Sequence, residues 1–413
     1  MQSYMYHPMS QLHIESTQKF KDTTISVRFL SELTEKSATT LAILALIMED
    51  RNQYAATKQQ MTQWMDQLYG AKLDVRSIGY GKSISFEVRS KVIDDRYIDR
   101  SIAKEHFEWL LTMIQYPLLS AETLKEAKLM LKATLLRNQD SATKYAINQA
   151  FTRAGAGYPL SIDTSGSLDV LDDITLDDVK SAHAMLLSTA RVDVFVITSA
   201  QPQMYQALFE HSYLNTTRVD SETMYTLQHR DMTQEVMKKE LKQTNLVMVY
   251  NAQIIPSDEL YWPLRVALVA LGQLPSSLCF TEIREKRSLC YFIGANMVTF
   301  DGAVYVYTGI DAKEKQQVIQ LVGEQIQRII DGDIDENLLV NSKTMMINSL
   351  YGMVDDPFAM INFLYQRLLM KSDVHMDSVI QKIQQVSMAK MGEAMASLVL
   401  RTIFSLEPME EQA

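Results

Sequence analysis

The chain has only two cysteines, Cys279 and Cys290, in 413 residues, which excludes a disulfide framework and a metal cluster held by several thiolates. Glycine and proline are also scarce, with 14 and 9 residues, so we expect long regular elements and few elaborate loops. The best apolar run, residues 41–48, is far shorter than the roughly 20 residues that cross a bilayer. These absences predict a globular chain of helices and strands without a transmembrane helix.

A net positive charge and a targeting signal are lacking as well. The formal net charge of −10 argues against nucleic acid as a partner, because such proteins need a basic surface to displace counterions. Residues 1–4 have neither a basic patch nor an apolar core, so no secretion signal is expected. The chain has 47% hydrophobic and 22% charged residues, a balance typical of globular proteins. We therefore expect a soluble, acidic, cytoplasmic protein that binds neither nucleic acid nor a membrane.

The first half of the chain alternates strand and helix patterns. Residues 23–29 alternate in polarity like a half-buried strand. The turn glycines Gly79 and Gly81 separate the strand-like residues 73–75 from 84–88, and this spacing predicts an antiparallel hairpin. The other predicted elements are helices capped by Ser37, Thr57 and Thr175, helical blocks at 103–115 and 121–152, and a strand at 192–197.

The second half repeats this order of elements. Its predicted elements are strands at 246–250, around the Asp301-Gly302 turn and at 401–404, with helices from Glu259, Ser276 and Lys313, over 336–369, and after the Ser387 cap. Asp140-Ser141 before residues 146–148 has a counterpart in Asp356-Pro357 before residues 360–362. Matching elements lie about 210 residues apart, an offset that is too long for a solenoid repeat and suits two similar domains.

The pattern predicts an α+β fold of two tandem homologous domains, each a mainly antiparallel sheet packed with helices. We place the N-terminal domain at 1–210, a polar linker at 211–243 and the C-terminal domain at 244–413. The alternating strands of the first half imply one polar sheet face. The strands of the second half are more continuously apolar, so we expect that sheet to be covered more fully.

The segment with the most specific pattern is 274–291, which reads LPSSLCFTEIREKRSLCY. It predicts a serine-capped amphipathic helix with Leu278 and Ile283 on its buried stripe, followed by a strand that starts at Tyr291. Arg284 on the last helical turn and Tyr291, seven positions later, can then point into one cleft. The alternative is a solvated helix face on which Arg284 pairs with a local carboxylate while Tyr291 only packs.

This segment resembles the C-terminal-domain signature of the pitrilysin or insulinase-like zinc metallopeptidases, the family that includes the mitochondrial processing peptidase. The tandem halves, the turn at 68–71 and the helical segment 119–140 extend the resemblance to most of the chain. The resemblance implies that the two α+β domains form half of a clam-like chamber.

The resemblance also implies where zinc should bind, and the chain lacks the ligands there. Active members hold zinc with an inverted His-x-x-Glu-His motif on an N-domain helix and a Glu on a later helix. The corresponding helix, 41–50, contains no histidine, and no carboxylate lies between Glu126 and Asp140. Aliphatic side chains cannot bind zinc, so we predict a degenerate site with no metal and no cofactor in this chain.

The histidines elsewhere do not replace this site. An inverted motif ending at His106 would need histidine at position 102, which is Ile102. The other candidates have no partner at helical ligand spacing and are expected to be structural or surface residues; they are His183, His211, His229 and His375.

By resemblance, Arg284 and Tyr291 correspond to a pair that reaches across the chamber and stabilises the scissile carbonyl oxyanion. The sequence departs from the family at Cys290, where members usually have glycine or another small residue. The resulting hypothesis is a non-catalytic subunit, inactive by itself, that supplies Arg284 and Tyr291 in trans to a zinc-bearing homologous subunit acting on an extended peptide.

Other interpretations remain open at this point. The chain can be a scaffold that binds a peptide or protein without proteolysis. The modification of elongation factor P with 5-aminopentanol is one such setting, because the chain resembles the bacterial proteins associated with it more closely. It can form a homodimer in the absence of the zinc-bearing partner. A hydrolase with a site of another kind is the third alternative.

Overall fold

A computed structural model describes residues 2–7, 10–214, 222–372 and 375–409. The chain forms two compact units, each assembled from segments that are distant in sequence. The first unit contains Met1–Leu136, Ile162–Thr223 and Pro357–Ile361, and the second contains Arg137–Ser161, Met224–Asp356 and Asn362–Ala413. The unit boundaries therefore differ from the simple division at 210 and 244, because residues 137–161 belong with the second unit.

The first unit is built on a sheet of six strands in the order β1-β2-β6-β3-β5-β4. The strands are β1 (Gln2–His7), β2 (Ser10–Ser16), β3 (Asp22–Glu32), β4 (Lys72–Tyr80), β5 (Ser83–Ile93) and β6 (Arg191–Thr198). The predicted hairpin is the antiparallel pair β4 and β5.

The second unit is built on a sheet of five strands in the order β7-β11-β8-β10-β9. The strands are β7 (Thr233–Lys239), β8 (Thr244–Asn251), β9 (Cys290–Val298), β10 (Ala303–Ile310) and β11 (Val399–Pro408). Strands β2 to β6 and β7 to β11 have the same order and the same pairing, in which only the first and last strands of each set are parallel. This correspondence supports one pattern used twice, and it starts the second copy at β7, inside the segment predicted to be a linker.

Fourteen α-helices of the described residues accompany the sheets. They are α1 (Glu35–Asp50), α2 (Lys58–Gln67), α3 (Ala103–Gln115), α4 (Ala121–Asp140), α5 (Ala142–Ala154), α6 (Leu168–Leu171), α7 (Leu176–Ser188), α8 (Pro202–Glu210), α9 (Tyr261–Gly272), α10 (Lys315–Ile330), α11 (Glu336–Met353), α12 (Pro357–Leu369), α13 (Met376–Gln384) and α14 (Met388–Ala396). None of them is both long and apolar enough to span a membrane. The α+β fold with two domains is confirmed.

Most predicted caps are correct, and the first is displaced. Thr57, Thr175 and Ser387 each accept a hydrogen bond from a backbone N–H in the first turn of their helices. The prediction for Ser37 is wrong, because Thr34 is the N-cap of α1. Ser37 instead completes a capping box, with its hydroxyl accepting the Thr34 N–H at 2.8 Å.

The two sheets differ on the face opposite their main helical core. In the first sheet this face is polar, as predicted, and it contains the buried ion pair between Arg28 Nη2 and Glu87 Oε1 at 2.7 Å. Burial acts to raise the pKa of Glu87, but Arg28 and Arg76 outweigh it and hold the pKa below its usual value. In the second sheet, helix α5 packs an apolar surface onto the corresponding face. The predicted fuller covering of the second sheet is wrong, because β3 and β6 of the first sheet are buried on both faces just as β8 is.

Candidate functional site

The segment that carries Arg284 is a π-helix, Phe280–Glu285. The Lys286 N–H donates to the Thr281 carbonyl at 3.0 Å, an i to i+5 hydrogen bond. Short π-helical segments are rare and frequently occur at functional sites. The predicted stripe is confirmed, because Leu278 and Ile283 are buried. The start predicted at Ser276 is two residues early, since the helical backbone begins at 278.

The π-helix ends in a strained turn. Ser288 adopts a left-handed backbone with φ of 54°, an unusual conformation for a residue other than glycine. Its N–H donates to the Arg284 carbonyl at 3.0 Å, and the Leu289 N–H donates to the Ile283 carbonyl at 3.0 Å. These bonds satisfy the last helical carbonyls and direct the chain into β9.

A β-bulge places Tyr291 at the start of that strand. Cys290 pairs with Ile310 and Phe292 pairs with Gly309, so Tyr291 has no partner on β10. Bulges of this kind redirect a side chain next to functional sites. Tyr291 is 68% exposed on an edge strand of the sheet. Gly309 is required opposite the bulge, because a Cβ there would lie 2.6 Å from the ring of Phe292.

Arg284 is exposed and its guanidinium lies over the Phe280 ring, 4.5 Å from the centroid. The nearby carboxylate of Glu282 accepts hydrogen bonds from Lys286 and Arg287, each at 2.5 Å, and these bonds lower its pKa. Among the described residues Arg284 forms no ion pair and Tyr291 no hydrogen bond. The alternative in which Arg284 pairs with a local carboxylate therefore finds no support in the described part of the chain.

The two cysteines flank this segment and are both buried. Burial raises the pKa of the Cys279 and Cys290 thiols, so both are neutral at physiological pH. Cys290 is small and buried at the position before Tyr291, as expected, and the turn is preserved.

The helix that should hold zinc is filled with apolar contacts. Ile43, Leu44 and Ile47 of α1 are at most 1% exposed and belong to the core of the first unit. At the end of the helix Arg51 donates to Asp50 at 2.7 Å and to Glu126 on α4. A fixed guanidinium thus connects the carboxylates of α1 and α4. The described residues contain no group of three or more side chains that could hold a metal ion, and the aliphatic residues of α1 do not fit zinc.

The nearest zinc look-alike, His106, is a structural residue. It is fully buried, bonds Ser90 Oγ through Nε2 at 2.9 Å and stacks on Trp109. Burial lowers its pKa to about 3, so the imidazole is neutral. His183 bonds the Ile114 carbonyl at 2.8 Å in the same supporting role.

Comparisons with known proteins support the resemblance to the pitrilysin-like family. Residues 173–346 match the family model described as the peptidase M16 inactive domain. Over this range the chain is similar to pitrilysin-like proteins. It is 21% identical over 411 residues to the probable inactive metalloprotease YmfF of Bacillus subtilis, with 96% of each chain covered. These pitrilysin-like matches confirm the prediction of a chain without peptidase activity of its own.

Solved structures show the same pitrilysin-like fold. A conserved protein from Enterococcus faecalis has a TM-score of 0.94 at 25% identity, covering 100% of this chain and 99% of that one. The peptidase M16 inactive domain from Pseudomonas fluorescens has a TM-score of 0.82 at 14% identity, covering 100% and 98%. The likeness extends over the whole chain and includes both units.

One feature of the pitrilysin-like sheets was not predicted from the sequence. In each unit one edge strand, β4 near α1 or β9 near α9, has a backbone group that is hydrogen-bonded by a side chain. Glu49 on α1 accepts the Val75 N–H of β4 at 2.8 Å, and Gln273 after α9 donates to the Ala295 carbonyl of β9 at 2.8 Å. These bonds partly block the edges against pairing with another strand. A glutamate and a glutamine at helix ends give no sequence signal for such a role.

Proposed function

We propose that this chain is the non-catalytic subunit of a two-chain pitrilysin-like zinc peptidase in the cytoplasm. A zinc-bearing homologous subunit holds the metal and an extended peptide is the substrate. This chain contributes Arg284 and Tyr291 to the partner's active site and performs no hydrolysis by itself.

The observation that carries the proposal is that Arg284 has no ionic partner and Tyr291 no hydrogen-bond partner among the described residues. Both are exposed, and the local carboxylate that could neutralise Arg284 is bonded to Lys286 and Arg287 instead. Holding them requires a π-helix, a left-handed Ser288 and a bulge, each of which departs from regular structure. Local strain that persists in a folded protein is concentrated at functional positions. A segment that only faced solvent would need no such irregular backbone.

The chemistry of the pair suits the stabilisation of an oxyanion. A guanidinium and a phenol both donate hydrogen bonds, which the negative charge that develops on a scissile carbonyl oxygen can accept. In a site from which water is excluded, removal of one such donor typically lowers kcat by roughly 10²–10³-fold. Arg284 fixes a full positive charge there, and Tyr291 adds a neutral donor.

The test is co-expression with the zinc-bearing homologue and assay of the purified complex on a fluorogenic extended peptide. We expect Arg284→Ala and Tyr291→Phe each to reduce kcat by roughly 10²-fold or more without dissociating the complex. Arg100→Ala and Tyr351→Phe are matched controls, because they remove an exposed arginine and an exposed tyrosine hydroxyl outside residues 280–291. These controls should retain full activity.

Two results would refute the proposal. One is the failure of a stable complex to form in the presence of zinc. The other is a complex whose activity is indifferent to both substitutions, which would favour the peptide-binding scaffold without a proteolytic role. Elongation factor P and its modification proteins are then the first candidates to test as binding partners.

A further inference from the structure

A cavity of about 300 Å³ lies within the second unit, between helices α9, α11 and α12. Its lining is rich in methionine, with Met345, Met346, Met353 and Met370 beside Trp262 and Phe363, and it also includes polar side chains such as Gln273 and Gln366. Small-molecule sites are typically concave, mostly apolar and about 300–1,000 Å³ in volume. Methionine side chains adapt to the shape of an apolar group. The cavity therefore has the size and the surface for one large apolar side chain.

Two guanidinium groups line this space. Arg367 is buried with its Cζ 5.5 Å from the centroid of the Trp262 ring, and Arg265 has no carboxylate partner among the described residues. Arg265 is half-buried on α9, a helix that is otherwise almost entirely apolar. Its Nη1 lies 3.4 Å from Tyr261 Oη and 3.4 Å from Thr299 Oγ1, both long contacts with neutral groups. Among the described residues no ion pair involves Arg265. Since partial burial of an unpaired cation is costly, a carboxylate is the complementary group for this position.

An adjoining pocket gives the direction in which a larger ligand would extend. This second, polar pocket of about 670 Å³ shares Trp262 with the cavity and is lined by Lys371 and Lys382. Its acidic residues are already engaged, because Asp258 accepts the Ile255 N–H and Glu259 pairs with Lys390. The backbone of a ligand that extends out of the cavity would thus meet a solvated surface that carries the ammonium groups of Lys371 and Lys382.

We propose that the cavity binds the C-terminal residue of a peptide that ends in a bulky apolar side chain and a free carboxylate. The side chain inserts among the methionines, the carboxylate bonds Arg265, and the preceding backbone crosses the polar pocket toward Lys371 and Lys382. This site concerns the second unit alone and is independent of the role given to Arg284 and Tyr291.

The experiment is isothermal titration of the purified full chain with three probes. They are a hexapeptide ending in phenylalanine with a free carboxylate, the same peptide as its C-terminal amide, and decanoate. We expect the free acid to bind at least tenfold more tightly than the amide, because a charge-assisted hydrogen bond is lost in the amide. Arg265→Gln should weaken binding of the acid roughly tenfold or more and leave the amide unchanged.

Two further variants keep the result interpretable. Arg328→Gln on α10 removes a guanidinium paired with Asp333 on the surface and should bind the acid normally. Ser349→Trp introduces a large ring at an exposed position of the cavity lining and should abolish binding. Thermal unfolding of each variant shows that the fold is retained.

The proposal is overturned if the acid does not bind at about 1 mM. It is also overturned if acid and amide bind equally, or if Arg265→Gln behaves like Arg328→Gln. Binding of decanoate but not of the peptide, with the same dependence on Arg265, would assign the site to fatty acids and overturn the peptide as its ligand.

Discussion

The two regions that carry chemistry in pitrilysin-like peptidases have diverged in opposite ways in this chain. Along α1, where zinc ligands are expected, Ile43 and Ile47 are fully packed and Arg51 connects Asp50 to Glu126. At Arg284 and Tyr291 the side chains are exposed, and neither has an ionic partner among the described residues.

Under the proposed function, the first region only supports the fold and the second binds a ligand. Apolar side chains and one ion pair stabilise the fold where active members hold zinc. A donor pair that serves a partner must stay unengaged until a ligand arrives, so irregular backbone would hold it and local contacts would stabilise it little. The predictions below test each side of this contrast, starting with the largest expected effect.

The first prediction restores imidazoles to the filled region. Ile43→His with Ile47→His introduces two histidines at i and i+4 on α1, a spacing that can bind a metal on an exposed helix. Both positions are at most 1% exposed, so apolar packing is lost and two polar rings are buried. We expect the free energy of unfolding to fall by more than about 4 kcal/mol, with no recovery in zinc. Urea unfolding with and without zinc measures both effects.

The control pair is Gln59→His with Gln63→His, at the same spacing on the exposed face of α2. Its unfolding free energy should change by less than about 0.5 kcal/mol. A stable Ile43 and Ile47 double variant that gains stability in zinc would show that the α1 region is an open site, and the contrast would fail.

The second prediction concerns the turn that joins β9 to β10. Asp301 is buried there and accepts a hydrogen bond from Tyr225 Oη at 2.5 Å. Burial raises the pKa of Asp301 to about 6, although the Tyr225 bond opposes the shift. The raised pKa means that this group contributes most stability below about pH 4 and loses it as pH rises through about 6. The loss should be about 2 to 3 kcal/mol.

Asp301→Asn removes the titration, so the difference in unfolding free energy between wild type and variant should change in the variant's favour from pH 4 to pH 7. Urea unfolding at several pH values gives this difference directly. A difference that stays constant over this range would mean that the carboxyl is not strongly desolvated.

The third prediction tests the ion pair that connects α1 to α4. Arg51→Met keeps an apolar stem and removes the bonds to Asp50 and Glu126. Arg51 is 12% exposed, but Glu126 is 45% exposed, so solvent screens part of the interaction. We expect a loss of about 1 to 2 kcal/mol in urea unfolding, smaller above roughly 0.5 M salt. Lys104→Met, which breaks the exposed pair with Glu108, should change stability by no more than about 0.5 kcal/mol.

Most of the fold could be predicted because it rests on local periodicity. The hairpin of β4 and β5, helix α3 at 103–115 and the caps Thr57 and Thr175 depend on residues close in sequence. The repeat of strand and helix order also indicated two similar sheets.

Features that depend on distant residues could not be predicted. Strand β7 is mostly exposed and polar, so its residues resemble a linker until they pair with β11. The placement of α5 against the second sheet needs contacts between 142–154 and strands that lie about 100 to 250 residues later. The π-helix and the bulge likewise require tertiary pairing, whereas the sequence of the segment only indicated a helix followed by a strand.

The fourth prediction has the smallest effect and examines the strain next to Arg284. Ser288 has a φ of 54°, where a side chain costs roughly 1 kcal/mol, and glycine adopts this backbone freely. Ser288→Gly should therefore raise the free energy of unfolding by up to about 1 kcal/mol, less the entropy that glycine adds to the unfolded chain.

Gly332→Ala is the reciprocal control, since Gly332 has a φ of 73° and no atom lies within 4 Å of an added Cβ. The expected fall of about 1 kcal/mol in its free energy of unfolding would therefore come from backbone strain alone. If Ser288→Gly is stabilising but lowers the activity of the complex, the strained turn positions Arg284 and Tyr291. If it is destabilising, contacts of the serine side chain outweigh the strain, and the left-handed residue cannot be counted as evidence of constraint in this region.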